Sequence, residues 1–121
     1  MRWPMASEAR ADVTVVRFHG HLGLELLAPA PDGLDARVRD ALCRSCPRVL
    51  FEMSDVASVH PLVLARLARL ASAAAESGRQ VRWCASRPGI CRLFRRIGLD
   101  ERFHVFRSED EALGDAAAPS S

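Results

Sequence analysis

Cys43 and Cys46 are spaced C-x-x-C, a pattern that can hold a metal or cycle between thiol and disulfide. A zinc site would need a second ligand pair at a matching interval, and only scattered single residues, His60, Cys84 and Cys91, are at hand. A redox pair should follow a strand at a helix N-terminus, where the helix dipole lowers a thiol pKa. This pair falls at the far end of a helical segment instead, so ordinary reduced thiols are expected. His19 and His21 alternate on a strand end with no other ligand in view, and one face of that strand should be core. The serines lack a histidine and carboxylate that a fold would gather around them, and there is no glycine-rich phosphate loop. These residues predict no enzyme, no metal and no cofactor.

Composition narrows the classes further. The 121 residues, 49% hydrophobic and 26% charged, suit one soluble domain with one core. Net charge is only +2 and the basic residues are spread along the chain, which argues against nucleic acid as a partner. Every basic residue is arginine, which fits a GC-rich coding sequence better than a phosphate-binding design. No apolar run approaches the roughly 20 residues needed to span a bilayer. The first residues, Met1 to Ala6, lack the apolar segment of a signal peptide, so a cytoplasmic protein without membrane contact is expected.

The elements that would position a site can be read in order. Residues 1–11 show no periodicity and are expected to form a flexible lead-in. Val13 to Gly20 is rich in β-branched and aromatic residues and predicts a strand. Between 21 and 33, Leu22, Leu24, Leu26 and Leu27 fit either a short strand or a helix, broken by Pro29, Pro31 and Gly33. From Leu34 the spacing becomes helical, with Asp32 as N-cap and Pro47 stopping the helix after Cys46. Arg48 to Met53 reads as a central strand covered on both faces, followed by a turn from Ser54 to His60. A helix then runs from Pro61 to about Glu76, with Leu62, Leu64, Leu67, Leu70, Ala71 and Ala74 inward and Gly78 ending it.

Val81 to Ala85 is a further strand, and Ile90, Leu93, Phe94 and Ile97 share one face of a short helix closed by Gly98. Phe103 to Phe106 is a last strand. Ser108 and Glu111 form a capping box for a terminal helical turn. Residues 114–121 are expected to be disordered. Alternating strands and helices predict an α/β fold: a mixed, partly parallel sheet of four to five strands with helices mainly on one face.

Three stretches carry a resemblance to a known family. Val15 to Leu22 is an apolar strand that reaches a glycine and then a leucine. Val49 to Val56 is a central strand and its turn. Cys84 to Leu99 is a strand, a helix and a glycine-leucine exit. In this order and spacing they resemble the STAS domain, the fold of bacterial anti-sigma factor antagonists, over residues 12–113.

The resemblance implies a non-enzymatic regulator that works by partner switching. Its partner would be an anti-sigma factor or serine kinase of the histidine-kinase-like ATPase class, and the chain itself a monomer or weak dimer. Phosphorylatable members carry an Asp-Ser-Ser/Thr-Gly motif at the helix start. Aligned on Ser54 and Val56, those positions here are His60, Pro61, Leu62 and Val63, so no hydroxyl stands where the phosphoryl group would go. The family also tends to place an aspartate where this chain has Gly23. Docking without the serine switch is therefore the expectation.

The expected contact surface comprises Ser58, His60, Pro61, Leu62, Val63, Arg66 and Arg69, with His21 and Gly23 from the first turn. If Leu62 and Val63 are exposed they favour protein contact; if they turn inward they are core. Ser58 falls in the turn, four residues before Leu62. Arg92, Arg95 and Arg96 form a second basic group, diluted by Asp100 and Glu101. The alternative reading is a small-ligand-binding module, or a thiol or metal sensor, on the same fold.

Overall fold

The computed structural model describes residues 3–29, 31, 33–42 and 46–114. Five strands form one sheet whose spatial order follows the sequence: β1 Met5–Arg10, β2 Val13–Leu22, β3 Arg48–Val59, β4 Gln80–Cys84 and β5 His104–Phe106. β1 runs antiparallel to β2, and every other neighbouring pair is parallel. The helices are α1 Leu34–Leu42, α2 Pro61–Glu76, α3 Pro88–Arg96, α4 Leu99–Arg102 and α5 Glu109–Gly114. A mixed sheet with its helices mostly on one side is the α/β architecture expected.

Alternation along the strands divides the interior into two. Val16, Phe18, Val49, Phe51, Met53 and Trp83 point to the side covered by α1 to α4. Across the sheet, aromatic rings form a continuous row: Phe18 to Phe51 at 6.5 Å, Phe51 to Trp83 at 4.6 Å, and Trp83 edge-on to Phe94 of α3 at 5.5 Å. The other side is smaller, with Val13, Val15, Leu50 and Cys84 packed against Ala112 of α5.

Two expectations need correction. Residues 1–11 are not a loose lead-in throughout, because Met5 to Arg10 pair residue by residue with Phe18 back to Val13. The segment has no β-branched or aromatic residue to announce it. Its strand conformation comes from the ladder and from Glu8, which accepts from Arg17 Nε at 3.0 Å. Its polar side chains suit the outer edge of a sheet, where unpaired backbone must be shielded from other chains.

The stretch from Ser54 to Val59 is not a turn either; β3 continues through it to Val59. Met53, Val56 and Val59 are buried at intervals of three rather than two. Two irregularities in the β2–β3 register, between Arg17 and His19 and between Gly20 and His21, absorb the change of period. Gly20 sits at φ 76°, a backbone state that a residue with a Cβ adopts only with strain.

Elsewhere the ambiguous leucines form a 3₁₀ turn over Leu24–Leu27. Asp32 and Cys43 lie outside the described residues, as does the tail beyond 114, and α1 is described to Leu42 rather than Cys46. Ser108 caps α5 as expected, its Oγ accepting from Glu111 N–H at 3.1 Å.

Phe51 is fully buried at the centre of the aromatic row. Phe51→Ala should cost about 3–5 kcal/mol of unfolding free energy in urea titration, since its close neighbours leave little room to collapse into the cavity. A loss below about 1 kcal/mol would mean that the row does not organise the core.

Candidate functional site

The site is assembled where β2 and β3 end together and α2 begins. Leu22 pairs with Val59 as the last rung of the parallel ladder, and His60 N–H donates to Leu22 O at 2.9 Å. One residue later the chain turns into α2. His60 is its N-cap, with extended backbone and with Nδ1 accepting from Leu62 N–H at 3.1 Å. Pro61 at the first helical position has no N–H to leave unsatisfied there.

This cap sets which side chains face outward. Val63 and Leu64 are sealed in the core, whereas Leu62 is 58% exposed. Leu62 was placed on the inward stripe by its spacing, but it stands roughly 140° from the centre of the buried side chains at 100° per residue. Val63, expected at the contact surface, is core and can touch no partner. Leu24, in the 3₁₀ turn that packs beside α2, is 49% exposed. Leu24 and Leu62 are the exposed large hydrophobic residues among those described, and both belong to this junction.

The polar members gather at the same rim. His21 and Ser58 are register partners on β2 and β3, with Nδ1 and Oγ 2.7 Å apart and both residues exposed. Ser58 is thus a strand residue rather than a turn residue. Among the described residues no carboxylate is hydrogen-bonded to His21. Gly23 caps the 3₁₀ turn. A Cβ built on Gly23 would overlap Glu25 Oε1, so the carboxylate of Glu25 fills the space that a side chain at 23 would take. The sequence reading missed both Leu24 and Glu25. A helical period over 24–27 would have put them on the outer side.

Arg66 does not reach freely into solvent. Its Nη1 lies 3.1 Å from Asp35 Oδ1 of α1, a surface ion pair that joins two helices. Arg69 is exposed. On the other flank of the rim, Ala57, Ser58, Val59, Arg87, Gly89, Ile90 and Leu93 line an open groove of about 280 Å³ between β3 and α3. Arg92, Arg95 and Arg96 of α3 are all exposed.

Of the described thiols, Cys84 belongs to β4 and Cys91 to α3. Cys84 is buried on β4, and burial pushes its thiol up to about 11, so it is neither a ready nucleophile nor a ready ligand. Cys91 Sγ donates to Ala85 O at 3.4 Å. Among the described residues no three of His, Cys, Asp and Glu are grouped to hold a metal, and no helix is long and apolar enough to cross a membrane.

The rim therefore offers two exposed leucines, a hydrogen-bonded His–Ser pair and a shallow flanking groove. Such a surface suits contact with another protein. Comparison with known proteins agrees with the fold. The crystal structure of an anti-sigma factor antagonist from Mycobacterium paratuberculosis is similar at 23% identity and a TM-score of 0.76, covering 94% of this chain and 93% of that one. The anti-sigma factor antagonist SpoIIAA in its unphosphorylated form is similar at 16% identity and a TM-score of 0.69, covering 97% and 99%. No curated protein sequence matches the chain. The model of the STAS domain matches residues 5–112, a span that includes β1 and runs into α5, and the chain belongs to the STAS domain family.

Proposed function

We propose that this protein is a non-enzymatic, cytoplasmic regulator of the anti-sigma factor antagonist type. It docks through the β3–α2 rim onto an anti-sigma factor or serine kinase of the histidine-kinase-like ATPase class. The observation that carries this reading is the clustering of Leu24 and Leu62, both exposed, at the edge where His21, Ser58 and His60 meet. Large apolar side chains left in water at one place favour burial against a partner. Similarity to anti-sigma factor antagonists across nearly the whole chain supports the choice of partner class.

Docking here operates without the serine switch of phosphorylatable relatives. Phosphorylation acts by adding nearly two negative charges and three acceptor oxygens at an interface. Leu62, at the position where the resemblance to the family implies the acceptor, has no hydroxyl to receive them. The protein then binds constitutively, or competes with a phosphorylatable paralogue for the same partner.

Four outcomes are expected. Calorimetric titration against the ATPase-class anti-sigma factors of the parent genome should give a partner whose affinity falls about 10- to 150-fold with Leu62→Asp, the equivalent of about 1.5–3 kcal/mol for one buried leucine. The same substitution should leave the melting temperature unchanged or slightly raised, because an acidic residue in the first turn of α2 favours the helix dipole. Unchanged affinity in L62D would remove Leu62 from the interface.

His60→Ala should lower stability by about 1 kcal/mol through loss of the cap, read by urea denaturation; a neutral effect would mean that the cap contributes nothing. Incubation with the cognate kinases and ATP should add no mass to the intact protein, whereas a stoichiometric phosphate on Ser58 would overturn the constitutive version.

A further inference from the structure

Beside the rim, the end of β3 and the first turns of α3 enclose the groove of about 280 Å³. Val59 and Ile90 are buried at its floor, Ala57 is exposed on one wall and Leu93 is half-buried on the other. Both walls are set by the fold. Ala57 and Val59 belong to β3. α3 is anchored through Phe94, edge-on to Trp83 at 5.5 Å, and through Cys91, whose N–H donates to Arg87 O at 2.9 Å and whose Sγ donates to Ala85 O at 3.4 Å.

The mouth of this groove is basic. Arg87 and Gly89 line it, and Arg87 Nε donates to Ser54 O at 3.4 Å. A Cβ built on Gly89 would lie 3.9 Å from Arg92 Nη2, so the Arg92 guanidinium reaches back along α3 to the same place. Residues 87–96 hold four arginines and no acidic residue, and Asp55 is the single carboxylate in residues 53–59 of β3. Arg10, Arg17, Arg48 and Arg66 are each matched by a carboxylate, whereas among the described residues no ion pair involves Arg87 or Arg92. Asp100 and Glu101, which dilute the arginines in the sequence, belong to α4, beyond the end of α3 that faces away from the groove.

Size and lining select the kind of occupant. Small-molecule sites typically enclose about 300–1,000 Å³ and bury most of their ligand. This groove falls just short of that range and lies open to solvent, so it suits one apolar side chain of a longer segment. A nucleic acid would meet the arginines but leave the apolar floor uncovered. Because Arg87 and Arg92 are exposed, carboxylates that pair with them lose little hydration and act mainly on encounter and choice of partner.

Resting on the docking reading above, we propose that the β3–α3 groove is a second, selective contact for the same partner: it receives an apolar side chain from an acidic segment of that protein, whose carboxylates pair with Arg87 and Arg92. Ser58 joins the two contacts, since it lines the groove and hydrogen-bonds His21 at the rim. The division of labour is physical. Leu24 and Leu62 supply apolar area that any complementary surface can cover, whereas the arginines penalise a partner that brings no negative charge.

Calorimetry and stopped-flow binding of the full chain to the ATPase-class anti-sigma factor that it retains test this contact. Arg92→Glu alters an exposed helical position at which Arg95 and Arg96 follow three and four residues on, so the melting temperature should hold. Affinity should fall about tenfold at about 50 mM salt, mostly in the association rate, and the gap should narrow to about twofold at about 500 mM. Ala57→Trp, which fills the groove without changing charge, should weaken binding about tenfold at both salt concentrations. A lysine in place of the partner's matching acidic residue should restore binding to R92E. Either variant binding like the unaltered chain while L62D is impaired would overturn the groove contact and leave the rim standing. Unchanged affinity in all three, or no such factor retained, would remove both. A dimer of the unaltered chain that R92E dissolves, or binding of a mixed-sequence oligonucleotide that R92E abolishes, would give the groove to another occupant and overturn the proposal. Should A57W fail to fold, R92E and the charge swap decide.

Discussion

The last rung of the β2–β3 ladder governs the rest of the molecule's outward face. Leu22 and Val59 close the parallel pair, His60 N–H is spent on Leu22 O, and the next peptide must enter α2. Because the helix begins at that point, Val63 and Leu64 fall into the core and Leu62 falls outside it. A helix started one residue later would turn each side chain by about 100°. That rotation would bring the apolar stripe of α2 out of register with Phe51 and Trp83. The rim and the core are thus fixed by one boundary.

What keeps the boundary in place lies partly in the irregularities of β2 and β3. Two breaks in register let Met53, Val56 and Val59 all point inward across a stretch that strict alternation would divide between the faces. Gly20 supplies the left-handed backbone state within that stretch. On the opposite face, charge rather than shape dominates, since α5 is short and contributes little apolar surface beyond Ala112 and Leu113. The two faces of the sheet therefore differ in kind. One is a packed hydrophobic interior; the other is a small junction at which Arg17 pairs with Glu109.

Much of this was legible in the residues. A β-branched run marked β2, a near-continuous apolar run marked the first half of β3, helical spacing marked α2 and α3, and Ser108 with Glu111 announced α5. β1 was illegible because Met5 to Arg10 has no intrinsic strand preference and borrows its conformation from β2. The second half of β3 was misread because Ser54 and Asp55 look like turn residues and the buried positions repeat every third residue. At the rim, the residue types His21, Ser58, His60 and Leu62 were found, but their relations were not. Register brought His21 against Ser58, the cap turned Leu62 out and Val63 in, and Asp35 tied down Arg66. No local pattern could reveal the meeting of Arg17 with Glu109, since the partners lie far apart in the chain and only the fold brings them together.

The central claim is that the junction of β3 and α2 is the surface by which this STAS protein grips its partner. Backbone amide mapping by nuclear magnetic resonance, with the ¹⁵N-labelled chain titrated by an ATPase-class anti-sigma factor that binds it, examines that claim residue by residue. The account predicts the largest changes at His21, Gly23, Leu24, Ser58, His60 and Leu62. Changes confined to β1, β5 and α5, with the rim amides unmoved, would contradict it.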